Sequence, residues 1–221
     1  MVKRNIIKKY MKKLTKVISK NFCNKPIDFP IMMMKEEIDF LSLKMKEATN
    51  YIEFRCGGST FLAIREDKIK YIVSVESDEK WINYLLEWRG IRKGVKDKKL
   101  EFLYVNVGEV GAWVIPIDDS YIENYPQYSK LVFDNMEIKP DMIFIDGRFR
   151  VACAAATALA VDEKCKIFIH DYTSEEVYTV VENFLEKVDC CKTLAEFRVK
   201  KDIDNGIIED IYNQYCYIPL A

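Results

Sequence analysis

The stretch YIEFRCGGST, residues 51–60, decides the fold, because it joins a short apolar strand to a helix through a Gly-Gly turn. Residues 51–54 have the apolar character of a buried strand, and residues 60–65 have helical character. Gly57 and Gly58 permit a close backbone approach to a ligand, and Ser59 and Thr60 can cap the following helix. The free N–H groups at the start of a helix favour an anionic or polar ligand group.

Strands and helices alternate along the rest of the chain. This alternation predicts an α/β fold with a mostly parallel central sheet and helices on both faces. The stretch 108–136 is aromatic-rich and is expected to be irregular. We predict helices over 36–46, 60–65, 81–88, 151–161 and 174–187, and strands over 51–54, 70–75, 100–107, 142–145, 166–169, 194–199 and 212–218.

The composition excludes several classes of protein. The chain has 221 residues, 49% hydrophobic and 31% charged, which suits one ordinary α/β domain and neither a disordered nor a fibrous protein. No apolar run approaches the roughly 20 residues of a membrane helix, so we expect a soluble, cytoplasmic protein. Seven cysteines without CxxC spacing and a single histidine argue against a structural zinc site and for reduced thiols.

The N-terminal segment differs in charge from the rest of the chain. Residues 1–20 carry eight Lys or Arg and no acid, so the remainder is net acidic. Apolar residues recur there at helical spacing, which predicts a basic amphipathic helix. We expect an arm over 1–24 and the main domain over 25–221. The helix packs on the domain or on a second subunit, forming a homodimer, or it serves as a lid or contacts an anionic surface.

Polar residues directly follow the predicted strands. In a parallel sheet, ligands bind beyond the carboxyl ends of the strands, where the strand order reverses. Glu76 ends the second strand, at the position where α/β nucleotide sites place a carboxylate on ribose hydroxyls. Asp146-Gly147-Arg148 and His170-Asp171-Tyr172 follow the later strands. We therefore expect the functional site at this edge.

These motifs resemble the class I, Rossmann-like S-adenosylmethionine-dependent methyltransferases. The run from Glu53 to Thr60 is similar to the acid-x-Gly-x-Gly motif of that family, and the strand ending at Glu76 looks like its ribose-binding strand. The stretches PDMIFIDGRFRVAC (140–153) and IHDY (169–172) resemble a subgroup that methylates sugar hydroxyls and includes glycan-modifying enzymes of large algal viruses. The resemblance covers about residues 33–200, and a viral origin would place the protein in the host cytoplasm.

The resemblance implies S-adenosyl-L-methionine as the cofactor. Arg55 stands where the family has its first glycine, so it either pairs with the cofactor carboxylate or a nearby acid, or it weakens cofactor binding. By position, Glu53 faces the methionyl amine, Glu76 holds the ribose, and Asn106 and Val107 flank the adenine. The other cofactor-binding candidates are Cys56, Gly57, Gly58, Ser59, Thr60, Ser77 and Asp146.

A sugar hydroxyl is a poor nucleophile that needs a base or a metal ion. His170 is the only histidine, and its ordinary pKa lies near neutrality, so we assign it as the base. Asp146 and Asp171 have three alternative roles: they orient His170, they hold the hydroxyls of the acceptor, or they ligate Mg²⁺ or Mn²⁺.

The acceptor is expected to contact basic and aromatic residues. Of Arg148 and Arg150, one can lock Asp146 while the other contacts a phosphate or uronate; we assign Arg148 to the substrate. Trp113 and Tyr125 are candidates for stacking on a sugar ring, and Tyr172 is a further substrate candidate, although packing explains such aromatics almost as well.

Two other functions stay open at this point. A nucleic-acid methyltransferase is supported only by the basic arm, because the body is net acidic. The other is a non-catalytic partner protein that retains the fold while Arg55 disrupts the cofactor turn.

Overall fold

The computed structural model describes residues 29–134, 136 and 138–221. The chain divides into two compact units, one up to Pro30 and one from Ile31 to Ala221, and the second unit contains the sheet and its helices. The predicted basic helix of residues 1–20, and with it the arm 1–24, lies outside the described residues. None of the helices in the described part has the length and apolar composition needed to cross a bilayer.

Helices and strands alternate from the first element onward. Short 3₁₀ helices cover Ala112–Val114, Ile122–Asn124, Tyr172–Ser174 and Glu176–Asn183. The α-helices are α1 Lys35–Met45, α2 Gly58–Arg65, α3 Glu79–Leu85, α4 Arg89–Lys96, α5 Tyr125–Asp134, α6 Arg150–Ala160 and α7 Asn205–Tyr215, and the strands are β1 Asn50–Phe54, β2 Tyr71–Glu76, β3 Leu100–Tyr104, β4 Met142–Ile145, β5 Lys166–Ile169, β6 Leu185–Cys191 and β7 Leu194–Val199.

The seven strands form one sheet in the order β3-β2-β1-β4-β5-β7-β6. Strands β1 to β5 are parallel, and β7 pairs antiparallel with both β5 and β6. The predicted mostly parallel α/β sheet is thus confirmed. The chain runs outward from β1 to β3 and then returns to β4 on the other side of β1, so the strand order reverses between β1 and β4.

Helices cover both faces of the sheet. Ile52 and Phe54 of β1 point to the same face as Ile143 and Ile145 of β4, and they join a core cluster with residues of α5, α6 and α7. The small side chains of α6, whose first nine residues are all buried, let that helix pack closely on this face. On the opposite face, the ring of Phe40 in α1 meets that of Phe168 in β5 edge-on, with centroids 6.1 Å apart.

Several segments differ from the prediction: α4 was not expected, and β3 ends at Tyr104 rather than at residue 107. Residues 212–218 are not a strand: they include the end of α7, in which Ile208 and Tyr212 are buried one helical turn apart. Residues 174–187 form a 3₁₀ helix followed by the start of β6 rather than one α-helix. The stretch 108–136 is irregular only in its first part, because its second part forms α5. Pro126 lies in the first turn of α5, where its missing N–H costs no hydrogen bond.

Candidate active site

The carboxyl ends of the central strands are level with one another. Phe54 pairs with Val75 of β2 and with Ile145 of β4, and Ile145 pairs with Ile169 of β5. The next residue along each strand is therefore at the same edge of the sheet: Arg55, Glu76, Asp146 and His170. This level edge brings together the residues that the sequence analysis proposed for the cofactor and for catalysis.

The turn after β1 begins with a residue in an uncommon conformation. Arg55 has φ of +83°, which costs a non-glycine residue about 1–3 kcal/mol. Its N–H donates to the carbonyl of Val75 at 2.7 Å, and the indole N–H of Trp81 donates to the carbonyl of Cys56 at 2.8 Å. A Cβ built at Gly57 would meet no heavy atom within 4 Å, so this turn leaves open space beside its backbone.

Glu53 is buried inside this turn. Its carboxylate accepts hydrogen bonds from the hydroxyls of Tyr51 (3.1 Å), Ser59 (2.6 Å), Thr60 and Ser74. Burial raises the pKa of Glu53 to about 7, although the hydroxyl bonds favour the charged form. These contacts connect β1, β2 and the start of α2. The contact of Glu53 with the methionyl amine of a cofactor stays a prediction.

Glu76 lies across from the same turn. Its Oε1 accepts the N–H groups of Ser77 (2.8 Å) and Asp78 (3.0 Å), and its Oε2 accepts the N–H of Cys56 (3.3 Å). Burial raises the pKa of Glu76, an effect that the charge of Arg55 and these N–H donors oppose. The side chain is fully covered, so a ribose hydroxyl reaches it only after a local shift.

The residues proposed for the adenine are split between surface and core. Asn106 is exposed, and its Oδ1 accepts the N–H of Gly108 at 3.0 Å. Val107 is a member of the core cluster and is 1% exposed. Its expected contact with adenine is therefore corrected: its side chain packs inward.

His170 is buried between two carboxylates. Its Nδ1 lies 2.8 Å from Oδ1 of Asp146, and its Nε2 lies 3.4 Å from Oε2 of Glu37. Burial disfavours the imidazolium, but the hydrogen bond and charge of Asp146, together with the charge of Asp171, raise the pKa of His170 to about 9. The imidazole is therefore mainly protonated at neutral pH.

Arg150 fixes the same group of residues from the first position of α6. Its guanidinium donates to the carbonyl oxygens of Gly147 and His170, and its Nη2 lies 3.2 Å from Asp146 and 3.4 Å from Asp171. Burial would raise the pKa of Asp146, but the bond to His170 and the charges of His170 and Arg150 lower it to about 2. Of the two arginines considered in the sequence, Arg150 is the one that pairs with Asp146.

A metal site at Asp146, His170 and Asp171 does not fit this arrangement. Their potential ligand atoms lie within 4.8 Å of one another. However, Arg150 already contacts both aspartates, and both ring nitrogens of His170 face carboxylates. A divalent cation would have to displace a buried guanidinium, so we derive no step through a metal ion.

Only part of the expected acceptor surface is accessible. Trp113 is 47% exposed in the segment after β3. Tyr125 is 1% exposed and packs against Phe149, and Tyr172 is 3% exposed and packs against Phe197. The expected contacts of Tyr125 and Tyr172 with a substrate are corrected accordingly, since neither ring has a face open to a ligand.

Glu37 is the main residue that the sequence analysis missed. Besides His170, it contacts the N–H of Met34 at 2.9 Å and both the N–H (2.9 Å) and the hydroxyl (2.6 Å) of Thr193. Burial opposes its charge, but these bonds and His170 lower the pKa of Glu37. The only signal in the sequence was its place in the first turn of α1, which indicates a cap.

The fold is shared with solved methyltransferase structures. The chain is similar to a methyltransferase-like protein of Silicibacter pomeroyi DSS-3, with 27% identity and a TM-score of 0.76 over 85% of this chain and 97% of that one. The chain has the Rossmann-like methyltransferase fold. A candidate caffeoyl-CoA O-methyltransferase of Staphylococcus aureus (15% identity, TM-score 0.50, 88% and 100% covered) and cofactor-bound Rv0187 of MTB (12%, 0.52, 79% and 85%) share this fold. No protein-family model matches the chain, and no curated protein matches it in sequence.

Proposed function

We propose that the chain is an S-adenosyl-L-methionine-dependent O-methyltransferase that acts on a sugar hydroxyl of a glycan or sugar intermediate. The observation that carries the proposal is the level edge of a methyltransferase fold on which the open Gly57 turn, Glu76 and the His170–Asp146 pair meet. The Rossmann-like methyltransferase fold supports it, as does the resemblance of residues 140–153 to sugar methyltransferases.

The residues around the Gly57 turn fit the cofactor. The space beside Gly57 admits a ligand close to the backbone, and Glu76 stands where a carboxylate can accept ribose hydroxyls after a local shift. When bound, the cofactor supplies an activated methyl group on a good leaving group. The protein then has to align the acceptor, take up its proton and exclude water.

His170 takes up the proton in this proposal. The neutral imidazole accepts the hydroxyl proton at Nε2, while Asp146 holds Nδ1 and stabilises the imidazolium that results. Because His170 is 6% exposed and its Nε2 lies 3.4 Å from Glu37, the acceptor hydroxyl reaches the ring only after a local shift and has to compete with that carboxylate. Trp113 offers an exposed ring that can stack on the apolar face of a sugar.

Calorimetric titration with S-adenosylhomocysteine tests the cofactor. We expect saturable binding, and the absence of both heat and a thermal shift at millimolar ligand would refute the proposal.

Transfer of labelled methyl groups to a panel of sugars, nucleotide sugars and RNA tests the acceptor. We expect labelled sugar and unlabelled RNA. His170→Ala should keep affinity for S-adenosylhomocysteine and reduce turnover by about two to four orders of magnitude, the usual contribution of a general base. Unchanged turnover would remove His170 from the mechanism.

A further inference from the structure

Arg148 is a partly buried cation. Its Nε is buried and has no hydrogen-bond partner among the residues that the structure describes. Among residues 29–134, 136 and 138–221, no carboxylate oxygen lies within 4 Å of its guanidinium, whereas Arg150, two residues later, contacts two carboxylates and three carbonyl oxygens. A guanidinium has five N–H donors, and leaving a buried donor unpaired is costly.

Arg55 is a second half-buried cation at the same edge. Within the described part of the chain it too has no carboxylate partner within 4 Å. It is also held at φ of +83°, where glycine would be unstrained. Arg55 follows β1 and Arg148 follows β4, the two strands between which the strand order reverses.

The positive charge of Arg55 acts on the guanidinium of Arg148. Burial lowers the pKa of Arg148, and the positive charges of Arg150 and Arg55 lower it further. Asp146 and Asp171 make their direct contacts with Arg150 and His170 rather than with Arg148. Glu76 is occupied by backbone N–H donors. The charge of Arg55 acts on both Glu76 and Asp146, but no carboxylate oxygen of the described residues lies within 4 Å of either guanidinium.

We propose that Arg55 and Arg148 together bind one oxyanion of a ligand, a carboxylate, sulfate or phosphate group. Arginine binds such groups through paired N–H donors, and a buried cation gains the most from an anionic partner. The proposal rests on the proposed function for the source of the anion: either the carboxylate of the cofactor or an acidic group on the acceptor, such as a uronate or a sugar phosphate.

Sulfate tests the site without any cofactor. Sodium sulfate should raise the Tm of the wild-type protein above its value in sodium chloride of equal ionic strength, with saturation. Arg148→Met should weaken sulfate binding at least tenfold, while Arg89→Met, which removes an exposed arginine from α4, should leave it unchanged. Equal sulfate stabilisation of the wild type and Arg148→Met would overturn the proposal.

The variant Arg55→Gly separates a loss of sulfate binding from a loss of folding. Glycine adopts φ of +83° without strain, so this variant should melt at the same temperature as the wild type or higher in chloride. It should nevertheless lose saturable stabilisation by sulfate. Retention of the full sulfate effect by Arg55→Gly would contradict a shared site.

Two further titrations identify the source of the anion. If the anion is the cofactor carboxylate, Arg148→Met should weaken binding of S-adenosylhomocysteine at least tenfold and leave binding of 5′-methylthioadenosine, which lacks the carboxylate, unchanged. If it belongs to the acceptor, both nucleosides should bind normally and glucuronate or glucose 6-phosphate, but not glucose, should stabilise only the protein with Arg148. Sulfate binding without any nucleoside binding would refute the proposed function and leave the anion site standing.

Discussion

The substitution Asp146→Asn separates the charge of Asp146 from its shape. In the wild type, Oδ1 of Asp146 lies 2.8 Å from Nδ1 of His170 and 3.2 Å from Nη2 of Arg150. Asparagine retains an acceptor oxygen at that position but removes the negative charge. The pKa of His170 should therefore fall from about 9 towards or below its ordinary value of 6.5, because burial then acts with less opposition.

The two pKa values give the size of the effect. The pKa of His170 is raised from 6.5 to about 9, and that of Asp146 is lowered from 3.8 to about 2. Both shifts report largely the same ion pair, so they are counted once and correspond to about 2–3 kcal/mol. The raised pKa of His170 stabilises the folded state fully below pH 6.5, and this stabilisation is lost as the pH rises through 9. Because the pKa of Asp146 is lowered from 3.8 to about 2, the stabilisation by the ion pair is lost again as the pH falls through about 4 to 2.

The difference in unfolding free energy between the wild type and Asp146→Asn should thus be largest between pH 4 and 6.5. It should shrink by about 2–3 kcal/mol by pH 10. Urea denaturation at a series of pH values measures this difference, and comparing the two proteins cancels the titration of lysines, tyrosines and cysteines that they share.

Because His170 is the only histidine, a single imidazole resonance in the NMR spectrum reports its titration directly. Asp171→Asn is the matched control, since Asp171 lies 3.8 Å from Nδ1, is 46% exposed, and should change the pKa of His170 less. A wild-type midpoint at or below 6.5 would refute the assignment of a buried His170–Asp146 ion pair.

Three further substitutions and one pH profile probe the geometry of the site. Gly57→Ala should change the free energy of unfolding by less than about 0.5 kcal/mol, since its Cβ meets open space, yet weaken binding of S-adenosylhomocysteine. Gly58→Ala, whose Cβ would lie 2.7 Å from Cα of Ile31, should cost about 1–3 kcal/mol in urea denaturation; equal stability of the two variants would contradict this packing. Arg150→Met should destabilise the protein by about 3–5 kcal/mol in the same assay, because it leaves two aspartates and three carbonyl groups without their donor, and a loss below 1 kcal/mol would be inconsistent with that role. If His170 is the base, turnover should rise with pH towards 9, and a profile that is flat from pH 7 to 9 would exclude it.

Strands β1, β2, β4 and β5 were predictable because burial on both faces leaves a clear local signal. The strands over 142–145 and 166–169 have the predicted bounds, since each is a short apolar run flanked by polar residues. The level edge of the sheet then follows from parallel pairing, so the meeting of Asp146 and His170 could be predicted as well.

The remaining errors come from interactions that local patterns do not encode. Residues 174–187 have helical periodicity, yet the residues from Leu185 onward form β6, because they pair antiparallel with β7. Val107 and Tyr125 are in positions typical of binding loops, but both side chains are needed in the core. Tertiary packing overrides local preference in each case.

Glu37 shows how the site and the stability of the fold depend on the same contacts. It is 133 residues from His170 in the sequence, and through it the start of α1 and Thr193, in the turn between β6 and β7, are bonded to the imidazole. Asp146 and Arg150 extend the same network to the ends of β4 and β5. Because each member satisfies another buried member, removing one leaves its partners unpaired, and the effects of single substitutions on stability should not be additive. A base held this way is fixed in orientation before any acceptor arrives, and that preorganisation depends on contacts made far along the chain.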